Sequence, residues 1–526
     1  MIAAAPTLRG GVPSREPSVG IATAGRELVN LQILRALAAS LVLVHHVAAY
    51  GEQLRGAARP LGILDERMGP WGVSIFFALS GYLMAGLVTR DSPLTFLAHR
   101  VVRIYPTYLG VVALSAVVFA AFGLEFGGLY PLALSLAPTG PRSYPLNIEW
   151  SLVYEVTFYI GLFLLASAGL ARRLVPVALA WVVVLLVAYA WDPAGSNAMQ
   201  PPLYLLPVSV PCLAFAGGLL LPRLTARGWV RPWMALLALP LWGACIVLDS
   251  ASTRLLGGVA AMLLVGGAVV ARPVRRDGPV APALIALGDW SYILYLVHPP
   301  VLLLTNWACP PRWPEAAFGA VGIAGALAAT ALLGPLDVAL YRRLRARLGA
   351  VSLPTLRRGV SVFLLVFVSC AFWGSAETAR FAYAESRARH ALSALPAQVW
   401  ASPAGAKAAL AERGLALPAS LLGSVEAATR LTAEEAVIRA LAYDPAQPNR
   451  AMQLALFCDG RLLGIDRPRR MRKDLAGQPG FENLGHRRVG YRVRLATAPC
   501  APEDVMAVAV DDGGRMAVLP GIHGGR

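Results

Sequence analysis

The stretch "ILRALAASLVLVHH", residues 33–46, has the composition of a membrane helix but includes polar side chains that such a helix ordinarily excludes. Arg35 lies near its start, and His45 and His46 lie near its end. A charge inside a bilayer costs several kcal/mol unless it is paired or hydrated. Arg35 and His46 share one helix face and lie about 16 Å apart along the axis. Two interpretations are open: side chains that extend to the lipid headgroups, or one wall of a polar passage.

The composition of the whole chain indicates a polytopic membrane protein. Its 526 residues are 57% hydrophobic and 15% charged, which excludes a disordered protein. The net charge of +17 comes from arginines scattered through short loops, a pattern typical of membrane topology. We therefore expect no nucleic-acid partner, and the absence of a CxxC pair gives no sign of a metal site.

Eleven apolar runs are long enough to span a bilayer, and they predict ten core helices plus an eleventh. The runs are residues 28–49, 70–89, 104–123, 148–170, 174–191, 202–222, 229–248, 254–271, 281–307, 315–336 and 359–375.

The arginines between these runs or at their ends predict the orientation of the chain. Twenty fall in the N-terminal tail and in alternate loops, and six fall in the other loops. Because Lys and Arg collect on the cytoplasmic side, residues 1–27 are predicted to be a cytoplasmic tail. Residues 28–347 form the core membrane domain, and residues 348–375 a linker with the eleventh helix. An odd number of spans then places residues 376–526 outside the cytoplasm.

Residues 376–526 differ in composition and predict a small α+β or β-sandwich domain. The segment 376–440 is Ala-rich with helical spacing, as in "LTAEEAVIRALA" at 431–442. Short strands are predicted in 451–520, with hairpins at Asp459-Gly460 and Asp512-Gly513. Cys458 and Cys500 are expected to form a disulfide if this domain is extracytoplasmic.

Three further stretches place polar residues in or beside apolar runs. In "HRVVRIYP" (99–106), Arg100 and Arg103 lie one turn apart and are either topology signals or a fork for phosphates. In "NIEWSLVYEVTFYI" (147–160), Glu155 lies about two turns deep, and a buried carboxylate is a functional candidate by default. In "LGDWSYILYLVHPP" (287–300), His298 is placed in the outer half of its run.

Taken together and in this order, these stretches resemble the acyltransferase-3 family of membrane O-acyltransferases, over roughly residues 28–347. The resemblance rests on Arg35 and His46, "FFALSGY" (76–82), "RVVRIYP" (100–106), "WSLVYEVTFY" (150–159) and "SYILYLVHPP" (291–300). The opening "LQILRALAA" and the form "WSLVYE" look most like the branch that acetylates exopolysaccharides. Family members often carry Asp where this chain has Gln32 or Ser74, so any role of those acids is absent here.

The resemblance implies transfer of an acyl group, usually acetyl, from cytosolic acyl-CoA to a sugar hydroxyl at or beyond the outer face of the inner membrane. It implies that His46 is the essential histidine, that Arg35 is its partner, and that Arg100 and Arg103 bind acetyl-CoA. Glu155 is a further catalytic candidate. His46, Glu155 and His298 all map to the outer half, where a histidine can accept the proton of a hydroxyl. The remaining substrate-site candidates are Trp150, Ser151, Tyr154 and Tyr292, and the hydroxyls of the last three are candidate donors for a developing oxyanion.

Two other classes of function stay open at this stage. A transporter or flippase of polar lipids or sugars would also carry intramembrane charges, although it predicts repeat-related broken helices, and no internal repeat is evident. The second of these classes is a structural subunit of a polysaccharide export complex. Hydrolysis of acyl-CoA by the purified protein would distinguish the enzyme from both.

Overall fold

The computed structural model describes residues 19–56, 62–248, 250–310, 313–418, 420–430, 435–448, 452–468, 470–472, 475, 478–484, 488–496, 501 and 504–521. The chain divides into two compact units, one that ends at Phe372 and one that begins at Trp373.

Fourteen α-helices lie in the described part of the chain. They are α1 (Val19–Arg55), α2 (Ile63–Arg90), α3 (Pro93–Ala121), α4 (Pro131–Leu134), α5 (Glu149–Ser167), α6 (Leu174–Trp191), α7 (Cys212–Ala226), α8 (Ala238–Val247), α9 (Ser250–Val270), α10 (Ala281–Asp289), α11 (Ser291–Ala308), α12 (Glu315–Gly349), α13 (Leu353–Ser393) and α14 (Pro403–Glu412).

Eight of the described helices are long and apolar enough to cross a membrane: α1, α2, α3, α5, α6, α9, α12 and α13. Within the same described ranges, two further apolar segments, Cys212–Ala226 and Pro232–Val247, are shorter. All eleven predicted apolar runs overlap helices. The exact number of spans, ten plus one, stays a prediction.

The ninth predicted run is not one helix, because the chain breaks between α10 and α11 at Trp290. Gly288 lies against the backbone of α1, where a Cβ atom would come within 2.1 Å of the carbonyl oxygen of Gln32. The Trp290 ring in turn lies against Gly334 of α12. Close packing on both sides fixes the break, which places Ser291 at the start of α11.

The start of α5 is fixed by the carboxylate of Glu149, which is fully buried. Its oxygens accept hydrogen bonds from the backbone N–H groups of Leu146 (2.8 Å) and Ile148 (3.0 Å). A negative charge at the N-terminal end of a helix is also favourable for the helix dipole. Glu149 therefore has a structural role at the start of α5.

The second unit contains two four-stranded antiparallel sheets, with strand orders β1-β2-β6-β5 and β4-β3-β7-β8. The two sheets share an apolar core. The second sheet also packs on the end of α13 through Leu392, on α14 through Leu410 and on the turn between these helices, where the Trp400 ring stacks on that of Phe457. The strands are β1 (Leu422–Arg430), β2 (Glu435–Tyr443), β3 (Gln453–Cys458), β4 (Arg461–Asp466), β5 (Arg470–Met471), β6 (Arg488–Ala496), β7 (Met506–Val510) and β8 (Met516–Val518).

The prediction of helix for "LTAEEAVIRALA" was wrong, because its described part belongs to β2. This strand pairs with β1 on one side and β6 on the other. One of its faces packs into the shared core through Ile438 and Ala440, while Leu441 and Tyr443 pack into a second apolar cluster. A strand buried on both faces loses the polar alternation that identifies strands, so its apolar run resembles a helix.

Both predicted hairpins are confirmed. The first joins β3 and β4 at Asp459 and Gly460, which have φ angles of 46° and 79°. The second joins β7 and β8. Cys458 is disulfide-bonded, and its predicted partner Cys500 lies outside the described residues.

Candidate active site

A cavity of about 150 Å³ lies among the helices of the first unit. It brings together six of the ten predicted site residues, which come from α1, α3, α5 and α11: Arg35, Arg100, Arg103, Ser151, Glu155 and Tyr292. The other four, His46, Trp150, Tyr154 and His298, do not line it.

Arg103 is held by a carboxylate that the sequence analysis did not identify. Its Nη1 lies 2.9 Å from Oδ2 of Asp337, which is buried in α12, and the hydroxyl of Thr107 donates to Oδ1 at 2.6 Å. The guanidinium also lies over the rings of Tyr292 and Tyr341, at 5.0 and 5.3 Å. The two arginines of the predicted phosphate fork therefore differ in their surroundings, because Arg103 already has an anionic partner.

Arg100 and Arg35 differ from Arg103 because neither forms an ion pair with a described carboxylate. The Nε atom of Arg100 is buried and has no hydrogen-bond partner, while its guanidinium lies 5.9 Å from the centre of the Tyr159 ring. Arg35 donates from Nε to the hydroxyl of Ser291 at 3.1 Å. Because a buried charge is costly unless it is paired, these two cations favour an anionic group in the cavity.

Glu155 lies with the arginines rather than with the histidines, which corrects the grouping expected from its depth along the chain. The hydroxyl of Tyr159 donates to its carboxylate, and Ser80 Oγ lies 3.4 Å from that hydroxyl. A carboxylate among guanidinium groups lowers the electrostatic cost of burying them. Position along a helix gave the depth of Glu155 but not which helices surround it.

His46 and His298 are in direct contact, although 252 positions separate them in the chain. His298 Nε2 lies 3.2 Å from His46 Nδ1, and the ring centres are 4.8 Å apart. His46 Nδ1 also lies 2.9 Å from the carbonyl oxygen of Val42, and His298 Nδ1 lies 2.9 Å from that of Leu294.

These contacts determine the tautomers of the two neutral rings. A carbonyl oxygen can only accept, so Nδ1 carries the proton in both His46 and His298. His298 Nε2 is then an acceptor, and the Nδ1–H of His46 is shared between it and Val42. The Nε2 atom of His46 is left with its lone pair and makes no hydrogen bond to a described residue. It is the atom that can accept a proton.

The ring of His45 lies edge-to-face against His46, with the ring centres 5.0 Å apart, but its hydrogen bond is directed to α2. Its Nδ1 lies 2.5 Å from the carbonyl oxygen of Asp65, and its ring packs on Gly69 of α2. A Cβ atom at position 69 would come within 2.5 Å of that ring.

Tyr295 connects the cavity with the histidine pair. It lines the cavity, and its ring centre is 6.0 Å from that of His298. Its hydroxyl lies 2.5 Å from Ser151 Oγ and 3.1 Å from the carbonyl oxygen of Ile148. Tyr295 was not selected from the sequence, although the quoted run 287–300 contains it.

The predicted oxyanion donors are occupied in this structure. Tyr154 donates to the carbonyl oxygen of Ala198 at 2.9 Å, and Tyr292 to that of Ile104 at 2.9 Å. Ser151 is engaged with Tyr295. The role of these hydroxyls as oxyanion donors stays a prediction, and the guanidinium groups of the cavity are further candidates.

Asp337 and Ser291 are the other residues that the sequence analysis missed. Asp337 stands in "LLGPLDVAL" (332–340), one residue beyond the predicted tenth run, and an acid in such a stretch is a usable signal. Ser291 carries no such signal, because a serine in an apolar run is common and its partner Arg35 is 256 positions away.

The fold and the cavity are those of a helical membrane protein with a cationic site among its helices, and the sequence comparisons give its class. The family model described as an acyltransferase domain, that of the acyltransferase-3 family, matches residues 28–334. The chain belongs to this family.

A curated relative is also an acyltransferase. The chain is 27% identical to acyltransferase MdmB of Streptomyces mycarofaciens over 338 residues, which are 56% of this chain and 86% of that protein. No solved structure matches. The family and the apolar helices identify the chain as a multi-pass membrane acyltransferase.

Proposed function

We propose that the protein transfers an acetyl group from cytosolic acetyl-CoA to a hydroxyl of an exported or surface polysaccharide or glycolipid, and that it does so in the inner membrane. The observation that carries the proposal is the contact of His46 with His298 beside a cavity lined by three arginines. An acyltransferase needs a site for an anionic donor and a base for the acceptor hydroxyl. The arginine-lined cavity suits the anionic donor, and the histidine pair suits the base for the acceptor.

Arg100 and Arg35 suit the donor side of this reaction. The buried Nε of Arg100 lacks a partner, and both guanidinium groups lie in the cavity without an ion pair to a described carboxylate. Acetyl-CoA would supply the acyl group as an activated thioester and brings several phosphates. A guanidinium is suited to bind a phosphate or to stabilise an oxyanion, whereas Arg103 is held in place by Asp337.

His46 Nε2 is proposed to accept the proton of the acceptor hydroxyl. Its lone pair is maintained because Nδ1–H donates to Val42 and His298. Once His46 is protonated, the same Nδ1–H donates from a cation, and a charge-assisted bond is stronger than a neutral one. His298 is therefore a positioning residue that favours the protonated state of the base.

The test is acyl transfer by the purified protein in proteoliposomes. With labelled acetyl-CoA on the side of the N-terminus, we expect release of CoA and label on a polysaccharide acceptor, and we expect His46→Ala to abolish both. The alternative, a transporter or flippase, predicts movement of the glycan without release of CoA. Transport with intact acetyl-CoA would refute the proposal.

A further inference from the structure

Arg254 in α9 lies outside the cavity that holds Arg35, Arg100 and Arg103. Its Nη1 donates to the backbone carbonyl of Asn197 and lies 3.3 Å from the side-chain oxygen of the same residue. Its guanidinium lies 6.0 Å from the centre of the Trp150 ring. Trp150 is on the first turn of α5.

The charge of Arg254 is not balanced by any ion pair with a described carboxylate. Its contacts with described residues are the neutral oxygens of Asn197 and the ring of Trp150, which together engage Nη1 and one face. Nε and Nη2 make no hydrogen bond to a described residue, and neither is among the fully buried polar atoms. These two nitrogens form the edge of the guanidinium that binds a carboxylate or phosphate bidentately.

This arginine lies at the end of the helices where His46 is found. Asn197 belongs to the loop before α7, and the neighbouring Ala198 accepts the hydrogen bond of Tyr154 in α5. Ser151, the residue after Trp150 in α5, has its Oγ 2.5 Å from the hydroxyl of Tyr295. The Tyr295 ring centre is 6.0 Å from that of His298, which is in contact with His46. A series of contacts therefore joins the proposed base to the Trp150–Arg254 pair.

We propose that Trp150 and Arg254 form an acceptor-binding site for an oxyanion carried by the glycan, with Nε and Nη2 of Arg254 as the donors. The oxyanion is the carboxylate of an acidic sugar or the phosphate of a lipid-linked sugar, since both fit a bidentate edge. Trp150 holds the guanidinium plane by a cation–π contact. This inference rests on the proposed function, because it specifies the acceptor of that reaction.

The test is a binding measurement that requires no catalysis. Trigalacturonate, neutral galactotriose and a galactose linked through phosphate to a short isoprenoid are titrated calorimetrically into the purified full chain in neutral detergent. We expect at least one anionic probe to bind more tightly than galactotriose. We expect Arg254→Gln to weaken that probe by at least about tenfold, with galactotriose unchanged. The anionic probe that binds less tightly to Arg254→Gln than to the wild type identifies the source of the oxyanion.

Two variants make the result specific. Gln at position 254 keeps an amide N–H for the carbonyl of Asn197, and thermal unfolding checks that the loop is retained. Arg227→Gln is the matched control, because Arg227 also lies over a tryptophan ring, that of Trp229, at 5.1 Å and at the other end of α7. Arg227→Gln should bind all three probes as the wild-type protein does. If Arg254→Gln does not fold, Arg254→Lys keeps the charge but removes the planar edge and should still weaken binding.

Equal affinity of the wild-type protein for all three probes would overturn the inference, as would unchanged binding by the Arg254 variants. The proposed function is tested separately by CoA release. Selective binding without acyl transfer would refute the enzyme and retain the anion site. Acyl transfer without selective binding would refute only the site.

Discussion

The contact between His298 and His46 leads to a prediction of definite size. His298→Leu removes the acceptor that lies 3.2 Å from His46 Nδ1 and fills the buried position with an apolar side chain of similar bulk. The Nδ1–H of His46 keeps its bond to Val42 at 2.9 Å, so the lone pair stays on Nε2. The base therefore survives the substitution, and only its stabilisation is reduced.

The size of the effect follows from what happens to this hydrogen bond during the reaction. While His46 is neutral, the bond contributes about 1 kcal/mol, and after protonation it becomes charge-assisted and contributes about 2.3 kcal/mol. Only the difference, about 1.3 kcal/mol, affects the catalytic step, and it corresponds to about a tenfold decrease in kcat. By contrast, loss of the base itself in His46→Ala should cost about 100-fold to 10,000-fold.

The assay is CoA release at saturating acetyl-CoA and acceptor by protein whose thermal unfolding has been compared with the wild type. His298→Gln is the matched control, because its side-chain oxygen can replace the acceptor Nε2, and we expect it to recover most of the lost kcat. A His298→Leu variant as active as the wild type would refute the reasoning. So would a His298→Gln variant that folds normally but is as slow as His298→Leu, because then the acceptor atom is not what matters.

The remaining predictions test other parts of the site and the topology. His45→Ala should keep most activity where His46→Ala loses it, since His45 faces Asp65; equal loss in both would contradict the choice of base. Arg100→Lys should raise the Kd for CoA about tenfold, because a lysine cannot replace a bidentate edge, and an unchanged Kd would reduce this arginine to a topology signal. Asp337→Leu should lower the free energy of unfolding by about 3–5 kcal/mol, because it leaves a buried cation unpaired, and chemical unfolding in micelles measures this. Ala408→Cys, exposed in the second unit, should react with an impermeant thiol reagent in intact spheroplasts; labelling only after lysis would place this unit in the cytosol.

Much of the helical architecture could be predicted from the sequence because each membrane helix is specified locally. Apolar runs long enough to span identify helices without reference to any other part of the chain. The break at Trp290 could not be predicted in this way, since it depends on the approach of Gly288 to α1 and of Trp290 to Gly334. The strand β2 was missed for a related reason, because burial on both faces is a property of the sheets around it.

The candidate site shows the same division between local and distant information. The sequence located the polar residues on their helices, but it placed Glu155 with the histidines, and the structure places it with Arg100 and Arg35. Which faces meet depends on side chains far apart in sequence, as in the bond between Arg103 and Asp337, which spans 234 positions. A periodic pattern gives the face of one helix, and it contains no information about the face opposite.

The tautomer of the histidines depends on both kinds of information. In each case the Nδ1 atom faces the carbonyl oxygen of the residue four positions earlier, Val42 for His46 and Leu294 for His298. Such a contact is within a single helix, so the protonation of Nδ1 follows from local structure alone. The contact of His46 with His298 does not follow from local structure, since His298 belongs to α11. Local geometry thus decides which nitrogen of His46 can act as the base, and the tertiary contact with His298 decides how strongly the protonated ring is stabilised.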